Sequence, residues 1–271
     1  MNPFLEANRR HWDECVPIHV RSGMYDVASF KAGESKLKPV ELEELRDVRG
    51  KTMLHLQCHF GLDTLSWARD EGAIVTGIDF SEPAIEAARA LAAECGIDAT
   101  FLVSELYALP ERLDGQFDIV FTSYGALCWL PDIERWAQVA AHFVKPGGTF
   151  YAVEFHPIVG IFDDAPGVTD LHVRYPYFPT DEPLRFEEDG TYADRAAKLA
   201  HRVTYSWPHP VSEVTTALID AGLRIDFVHE FPFTVEPWFP FMEQTAERTF
   251  RLTKHDGSLP MLFSIKATKA A

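Results

Sequence analysis

Short apolar runs alternate with longer amphipathic segments from Lys51 onward. The apolar runs KTMLHLQ, AIVTGID, ATFLV, FDIVFTS and TFYAVEF are typical of five buried strands, and helical spacing follows most of them. Strands that alternate with helices indicate a largely parallel sheet with helices on both faces. The pattern therefore predicts a doubly wound, Rossmann-like α/β fold.

The clearest helix is SEPAIEAARALAAECG, which Ser81 can cap and Gly96 can end. Pro83 suits its first turn, where a backbone N–H has no helical partner. A later helix, VSEVTTALIDAGL, precedes two further strands, RIDFVHEF and MLFSIKAT. These strands complete a sheet of seven.

Two segments fall outside this alternation. Residues 1–50 precede the first strand and are too polar and too short for a domain of their own, so we predict an N-terminal helical cap. Residues 157–210 are rich in proline and aromatic residues and are longer than a plain connection, as lids and binding loops often are. We predict a main domain over residues 51–271 with a lid insertion at about 157–210, in which LRFEEDGTYAD starts a hairpin turning at Asp189-Gly190.

Charge and composition narrow the classes of partner. Lys and Arg number 25 against 41 Asp and Glu, and the net charge of -16 repels phosphate backbones. We therefore expect no nucleic-acid partner. The N-terminus lacks the apolar run of a signal peptide, and no stretch of about 18 apolar residues occurs, so we expect a cytoplasmic, soluble protein without a membrane partner. The cysteines are spread without a CxxC pair, as in a reducing compartment, at Cys15, Cys58, Cys95 and Cys128.

Polar residues follow the strands where a ligand would bind. In doubly wound sheets, ligands lie at the carboxyl ends of the strands. Asp79, at the end of the second strand, is the most informative residue, because a carboxylate there can accept hydrogen bonds from both hydroxyls of a ribose. Asp79 could equally cap the next helix, a role that Ser81 can also fill.

Five successive motifs resemble those of class I S-adenosylmethionine-dependent methyltransferases: LHLQCHFG, GIDFSEPAIEAAR, FLVSELYALPE, FDIVFTSYGALCWLPDIERW and VKPGGTFYAVE. The resemblance covers about residues 51–155, and the terminal pair of strands also fits. The loop is most similar to that of a bacterial group that reads HFG instead of a triple glycine. The resemblance implies strand order 3-2-1-4-5-7-6 with an antiparallel last strand, S-adenosylmethionine as cofactor, and a small organic molecule as methyl acceptor.

The loop after the first strand departs from the usual family pattern. The usual loop has an acid at His55 and glycines at Gln57 and His59, and glycine allows close backbone approach and positive φ. We expect Gln57 and His59 either to adopt ordinary dihedrals or to offer side-chain donors to the ligand carboxylate. The loop, with Cys58 and the retained Gly61, is still expected to lie against the methionine part and ribose of the cofactor.

The resemblance also implies the other cofactor contacts. Residues after the second, third and fourth strands are expected to hold the nucleoside and the sulfonium, and residues of the cap are expected to close over them. These residues are Asp79 on the ribose hydroxyls, Phe80 and Leu106 against the adenine, Ser104 and Glu105 at its amino edge, Ser123 and Tyr124 beside the methyl group, and Trp12 and Tyr25 in the cap.

A metal site is a competing interpretation of the same loop. His55, Cys58 and His59 place three potential zinc ligands within five residues. Strand alternation points His55 and Cys58 in opposite directions, and no fourth ligand lies nearby in the sequence. We therefore predict no metal site and interpret Cys58 as a small buried residue.

Methyl transfer is an in-line displacement that depends mainly on alignment of the reacting groups. An oxygen or protonated-amine acceptor also needs a base. His156, after the fifth strand, is the first candidate because histidine titrates near neutral pH, and His209 in SWPHPVSE is the second. Tyr124 is a third catalytic candidate, beside the methyl group. Either histidine could instead be a hydrogen-bonded structural residue.

Two alternatives to a methyltransferase stay open. A nicotinamide-dependent oxidoreductase also uses an acid after the second strand, but the G-x-G-x-x-G that its pyrophosphate needs is missing. A non-catalytic S-adenosylmethionine-binding protein would keep the fold, and the altered glycine loop is its support. The methyl acceptor and the oligomeric state do not follow from the sequence.

Overall fold

The computed structural model describes residues 2–245 and 249–271. Helices and strands alternate as the hydrophobic pattern predicts, and short strand pairs lie outside the main sheet. The elements are α1 Pro3–Arg21, α2 Val27–Lys31, α3 Pro39–Glu44, β1 Thr52–Leu56, α4 Leu62–Arg69, β2 Ile74–Asp79, α5 Glu82–Cys95, β3 Thr100–Val103, β4 Phe117–Ser123, α6 Ile133–Phe143, β5 Val144–Phe155, β6 Leu184–Glu187, β7 Val203–Ser206, α7 Val211–Asp220, β8 Leu223–Phe231, β9 Met242–Gln244, β10 Phe250–Leu252 and β11 Leu262–Lys269.

The main sheet has seven strands in the order β3-β2-β1-β4-β5-β11-β8. Strands β1 to β5 pair in parallel with their neighbours. Strand β11 is antiparallel to both β5 and β8. The predicted order 3-2-1-4-5-7-6 with an antiparallel last strand is confirmed. The order reverses between β1 and β4, which is where doubly wound folds bind ligands.

Helices cover both faces of the sheet. On one face, Trp136 of α6 packs against Phe150 of β5, and both side chains are fully buried. On the other face, Trp67 of α4 packs against Phe121, which stacks on Tyr151. Each of these large side chains contributes about 1.5–3 kcal/mol or more to folding by leaving water. The core therefore fixes the strand ends from both sides.

The local signals of helix α5 act as expected. The Ser81 hydroxyl accepts a hydrogen bond from the Ala84 N–H, and Pro83 lies in the first turn. Gly96 ends the helix with φ 64°, a left-handed conformation that glycine adopts at little cost. Helix α5 therefore starts immediately after Asp79, at the carboxyl edge of the sheet.

The chain departs from the sequence-based picture in two places. The fifth strand is longer than the run TFYAVEF: β5 begins at Val144, directly after α6, so it includes the KPGG segment, and its pairing with β4 is irregular there. The hairpin turn at Asp189-Gly190 is wrong, because β6 pairs with β7 across residues 188–202. Gly190 instead enters a local turn in which the Thr191 and Asp194 backbones pair with each other.

Helix α1 is tied to the insertion rather than to the sheet. Asn8 exchanges two hydrogen bonds of 2.8 Å with the Tyr205 backbone, and the Glu14 carboxylate accepts from the Ala200 and His201 N–H groups. The same helix lies against α5 and β7. The N-terminal segment and the insertion thus form one layer over the carboxyl edge of the sheet. Within the described residues, no helix has the length and hydropathy needed to cross a bilayer.

Candidate functional site

A cleft lies at the carboxyl ends of the first four strands, below the layer formed by α1 and the insertion. The fold brings most of the predicted cofactor residues to this one cleft, although they come from distant parts of the chain. The predicted residues that line it are Trp12, Tyr25, Gln57, His59, Asp79, Phe80, Ser104, Glu105, Leu106, Ser123 and Tyr124.

Other residues line the cleft without having been predicted. Gly125 and Ala126 directly follow Tyr124, so their position after β4 could have indicated them. Leu5 and Tyr192 carry no such signal, because only the tertiary fold brings α1 and the insertion over the strand ends. The unpredicted lining residues are Leu5, Ile78, Gly125, Ala126, Leu130 and Tyr192.

The loop after β1 follows a left-handed path without glycine at two positions. Gln57 has φ 57° and His59 has φ 50°, so neither adopts ordinary dihedrals. This conformation costs about 1–2 kcal/mol per non-glycine residue. The Gln57 amide nitrogen donates to the Ala126 carbonyl at 3.0 Å, whereas its Oε1 is buried without a hydrogen-bond partner. The loop therefore keeps the backbone path of a glycine loop, and the Gln57 side chain, which lines the cleft, carries a buried oxygen without a partner.

Asp79 connects that loop to the end of β2. One carboxylate oxygen accepts from the His59 N–H and the other accepts from the Ser81 N–H, both at 2.9 Å. Burial raises the pKa of Asp79 to about 6, although these backbone donors oppose the shift. The Ser81 hydroxyl caps α5, so Asp79 is left to hold the loop and face the cleft.

The acid after β3 has a similar double role. The Glu105 carboxylate accepts from the Tyr107 N–H at 3.1 Å and so starts the short 3-10 turn Leu106–Glu111. The Ser104 N–H donates to the Asp79 carbonyl at 2.9 Å. These bonds place Glu105 and Leu106 on the cleft wall.

A buried polar network lies behind the end of β4. The Ser123 hydroxyl donates to Asp63 at 3.2 Å and lies 3.2 Å from His55 Nε2. The Tyr124 hydroxyl donates to Glu41 of α3 at 2.5 Å. Burial raises the pKa of Asp63 and raises that of Glu41 to about 8. Local patterns in the sequence do not indicate Glu41 or Asp63, because their partners lie far away in the chain.

Glu154 holds the loop after β4 from the neighbouring strand. Its buried carboxylate accepts from the N–H groups of Gly125, Ala126 and Leu127, and also from its neighbour Phe155. Burial raises its pKa, although these donors oppose the shift. This carboxylate therefore fixes the part of the cleft wall that includes Gly125 and Ala126.

Two predicted loop residues do not line the cleft. Cys58 is buried, and its Sγ packs where a Cβ on Gly77 would lie. Gly61, with φ 77°, packs against the ring of Phe101. Both residues shape the loop from behind.

The two predicted histidine bases also lie outside the lining. The His156 ring is held away from the cleft, because its Nδ1 accepts from the Ile158 N–H at 3.1 Å and its Nε2 lies 2.9 Å from Glu230 of β8. His209 is held by the Leu130 carbonyl and Glu213. The structure therefore corrects the expectation that these histidines face the ligand edge.

The loop histidines and cysteine have other partners than a metal. His55 Nδ1 lies 2.8 Å from the Thr64 hydroxyl, on the side opposite Ser123. In the part of the chain that the structure describes, no three His, Cys, Asp or Glu side chains form a group that could hold a metal ion.

Aromatic rings close the cleft from above. The Trp12 ring centroid lies 5.4 Å from that of His59 and 5.3 Å from that of Trp129. The hydroxyls of Tyr25 and Tyr192 are hydrogen-bonded to each other, which joins the N-terminal segment to the insertion. The cleft is thus bounded by carboxylates below and by aromatic rings above.

Residues 53–148 match a family model described as a methyltransferase domain. The chain is 34% identical over 102 residues to the ubiquinone biosynthesis O-methyltransferase of Erwinia tasmaniensis, covering 38% of this chain and 41% of that protein. It is 37% identical over 107 residues to the protein of the same name from Vibrio cholerae, covering 40% of this chain and 43% of that protein. The chain therefore spans less than half the length of these curated relatives.

The fold extends beyond the matched segment. An S-adenosylmethionine-dependent methyltransferase from Mesorhizobium loti superimposes with a TM-score of 0.59 at 24% identity, over 88% of this chain and 100% of that one. The specific likeness to the bacterial HFG-type group stays a prediction. Residues 53–148 thus match the model of a methyltransferase domain, and the chain has the fold of the compared methyltransferase structure.

Proposed function

We propose that the chain is a methyltransferase that binds S-adenosylmethionine in this cleft and acts on a small organic molecule. The observation that carries the proposal is the convergence of Asp79 and Glu105 on one cleft beside the unsatisfied Oε1 of Gln57. A nucleoside with an amino-acid tail presents hydroxyl and N–H donors, and these three groups are acceptors. The donor and acceptor chemistry therefore fits the cofactor.

Each acceptor has a counterpart on the ligand. Asp79 would accept from the ribose hydroxyls, as acids at this position do in nucleotide-binding folds. Glu105 would meet the adenine amino edge, with Phe80 and Leu106 flanking the ring. Gln57 Oε1 would accept from the ammonium of the amino-acid tail, which satisfies the buried oxygen.

The chain's own contribution to catalysis is alignment. The cofactor supplies a methyl group on a sulfonium sulfur, and good positioning of the reacting groups lowers the barrier by about 7–11 kcal/mol. The rings of Trp12, Trp129 and Tyr192 would exclude water from above the methyl group. Tyr124 lies on the wall with its hydroxyl held by Glu41, so we propose that it positions the acceptor.

Enclosure and charge support a small acceptor. The cap over residues 1–50 and the insertion at about 157–210 of the main domain 51–271 are proposed as the two halves of a lid, joined by Asn8 and Tyr205. The net charge of -16 disfavours a nucleic acid. We propose a cytoplasmic location, in agreement with the unpaired cysteines.

Calorimetric titration of the purified chain with S-adenosylhomocysteine tests the proposal. We expect saturable binding that Asp79→Ala weakens at least about tenfold, the loss of one or two hydrogen bonds to a charged group. Asp114→Ala, an exposed acid near β4, is the matched control and should bind as the wild type does. Absence of binding would overturn the proposal.

A second measurement separates the alternatives. Transfer of a tritiated methyl group to a panel of small hydroxyl, amine and carbon acceptors would establish the methyltransferase activity. If S-adenosylmethionine binds but no acceptor in the panel leads to release of S-adenosylhomocysteine, the result favours the non-catalytic protein. Hydride absorbance changes without methyl transfer would favour the oxidoreductase.

A further inference from the structure

Two imidazole rings meet where the cap touches the loop after β1. Nδ1 of His19, on α1, lies 3.0 Å from Nε2 of His59, which lines the cleft. His19 is fully buried, and its other ring nitrogen has no hydrogen-bond partner. A buried polar atom without a partner costs about 1–3 kcal/mol, so its retention calls for a functional explanation.

The wall of the cleft carries acids and no permanent cation. Asp79 and Glu105 line it, whereas none of its described lining residues is a lysine or an arginine. The amino-acid part of S-adenosylmethionine ends in a carboxylate, and enclosing an unpaired carboxylate is costly. Among the lining residues that the structure describes, His59 is the side chain that can gain a positive charge near neutral pH.

Both rings are neutral in the structure as it stands. Burial lowers the pKa of His19 to about 4, with a smaller effect from His11, and holds the pKa of His59 well below its ordinary value, with a smaller effect from His19. One N–H is therefore shared between the two facing nitrogens. A carboxylate against His59 reverses the balance, because an opposite charge within about 4–6 Å favours the protonated imidazole.

His11 and the cysteines and tyrosines around the pair do not compete for this charge change. Burial lowers the pKa of His11 and raises the pKa of the neighbouring thiols and phenols, so all of these stay neutral near pH 7. The neighbouring acids favour a positive charge on the pair. The titratable groups around the pair are His11, Asp13 and Cys15 on α1, Tyr25 after it, Cys58 beside His59, Asp79 at the end of β2 and Tyr192 in the insertion.

We propose that the His19–His59 pair takes up one proton when the cofactor binds, and that the resulting imidazolium neutralises the carboxylate of its amino-acid part. The inference rests on the proposed function. His59 contacts the carboxylate, and His19 is a positioning residue that orients His59 and shares the proton. The proton comes from the buffered solvent: one N–H bond forms on the pair, the buffer acid becomes its conjugate base, and no other covalent bond changes.

Proton counting on the wild-type chain tests the inference. Calorimetry at about pH 7.5 in two buffers of different ionisation enthalpy gives the number of protons taken up per ligand. The probes are S-adenosylhomocysteine and 5′-methylthioadenosine, which shares the purine, ribose and thioether but lacks the amino acid. We expect binding of S-adenosylhomocysteine to take up about one proton more than binding of 5′-methylthioadenosine. The Kd of S-adenosylhomocysteine should rise about tenfold from pH 7 to pH 8. A difference below about half a proton would overturn the inference.

A variant of His19, which does not line the cleft, gives a second test. His19→Gln should abolish the difference in proton uptake and weaken S-adenosylhomocysteine, while 5′-methylthioadenosine binds as before. His156→Gln, a histidine outside the lining, is the matched control and should keep the difference. Circular dichroism checks that both variants fold. If His19→Gln does not fold, the proton count of the wild-type chain alone tests the inference. Binding of S-adenosylhomocysteine without proton uptake overturns this inference alone, whereas no binding overturns the proposed function as well.

Discussion

Glu41 and Tyr124 are 83 positions apart in the chain, and the Tyr124 hydroxyl donates to the Glu41 carboxyl at 2.5 Å. The second oxygen of Glu41 accepts from the Lys38 N–H, so the first turn of α3 is closed by the same group. Glu41 is fully buried, and among the residues that the structure describes no salt bridge compensates its charge. This one carboxyl therefore connects the N-terminal segment to the cleft wall, and its ionisation affects the stability of the fold.

The position of Glu41 predicts that stability falls as the pH rises. Burial raises its pKa to about 8 in the folded chain, above the ordinary value of 4.5. Between these values the folded state holds a proton that the unfolded state has lost, so the stability contributed by the proton is lost as the pH approaches 8. Relative to the wild type, Glu41→Gln should gain about 2–4 kcal/mol of unfolding free energy between pH 5.5 and pH 8.5.

Urea unfolding of both proteins at the two pH values measures this gain. Glu43→Gln, an exposed acid on the same helix, is the control and should show no such change. A pH-independent difference between Glu41→Gln and the wild type would show that Glu41 ionises normally.

Asp79 predicts a pH effect of opposite direction on ligand affinity. Its pKa is about 6, and the ionised form has the lone pairs that two ribose hydroxyls need. The Kd for 5′-methylthioadenosine should therefore rise as the pH falls from about 7 to about 5, approaching tenfold per unit at the acid end. In Asp79→Asn the Kd should be higher throughout and independent of pH. Fluorescence or calorimetric titrations measure both profiles, and a sloping profile in Asp79→Asn would assign the titration to another group.

Much of the sheet and part of the site follow from the sequence, for physical reasons. Strand and helix periods differ, and parallel strands present their carboxyl ends at one edge, so Asp79 and Glu105 could be expected to converge. Contacts that depend on tertiary packing gave no local signal. Glu41 meets Tyr124, and Tyr192 meets Tyr25, only because the outer layer folds over the sheet.

The backbone conformation of the loop after β1 could not be predicted from the sequence either. Residue preference favours ordinary dihedrals for Gln57 and His59, but both are left-handed. The bonds from Gln57 to Ala126 and from the His59 N–H to Asp79 hold that conformation against the preference. These partners are assembled only in the folded chain.

The Glu154 carboxylate is the acceptor for three consecutive backbone N–H groups, so its replacement should lower the stability of the fold. Its two oxygens accept from the Gly125, Ala126 and Leu127 N–H groups, and an amide offers a single oxygen. Glu154→Gln should lose about 2–4 kcal/mol of unfolding free energy, because at least one buried N–H loses its partner. S-adenosylhomocysteine affinity should fall with it, since Gly125 and Ala126 line the cleft.

Thermal unfolding and calorimetry of Glu154→Gln measure the two effects. Glu230→Gln, whose carboxylate is half exposed and binds His156, is the control and should be close to the wild type. Wild-type stability in Glu154→Gln would mean that water replaces the lost bonds.

Close packing around Gly61 explains why the loop has a glycine at this position, whereas Gln57 and His59 stand where the usual loop has glycines. A Cβ on Gly61 would lie 2.8 Å from the Phe101 ring and 3.1 Å from the Ala88 Cβ, at φ 77°. Gly96 has φ 64° with nothing within 4 Å of a Cβ, so Gly96→Ala isolates the backbone cost of about 1–2 kcal/mol. Gly61→Ala should add about 1–3 kcal/mol of overpacking to that cost, measured as the difference in unfolding free energy between the two variants. Equal losses would show that Phe101 moves freely, and close packing would then no longer explain the glycine.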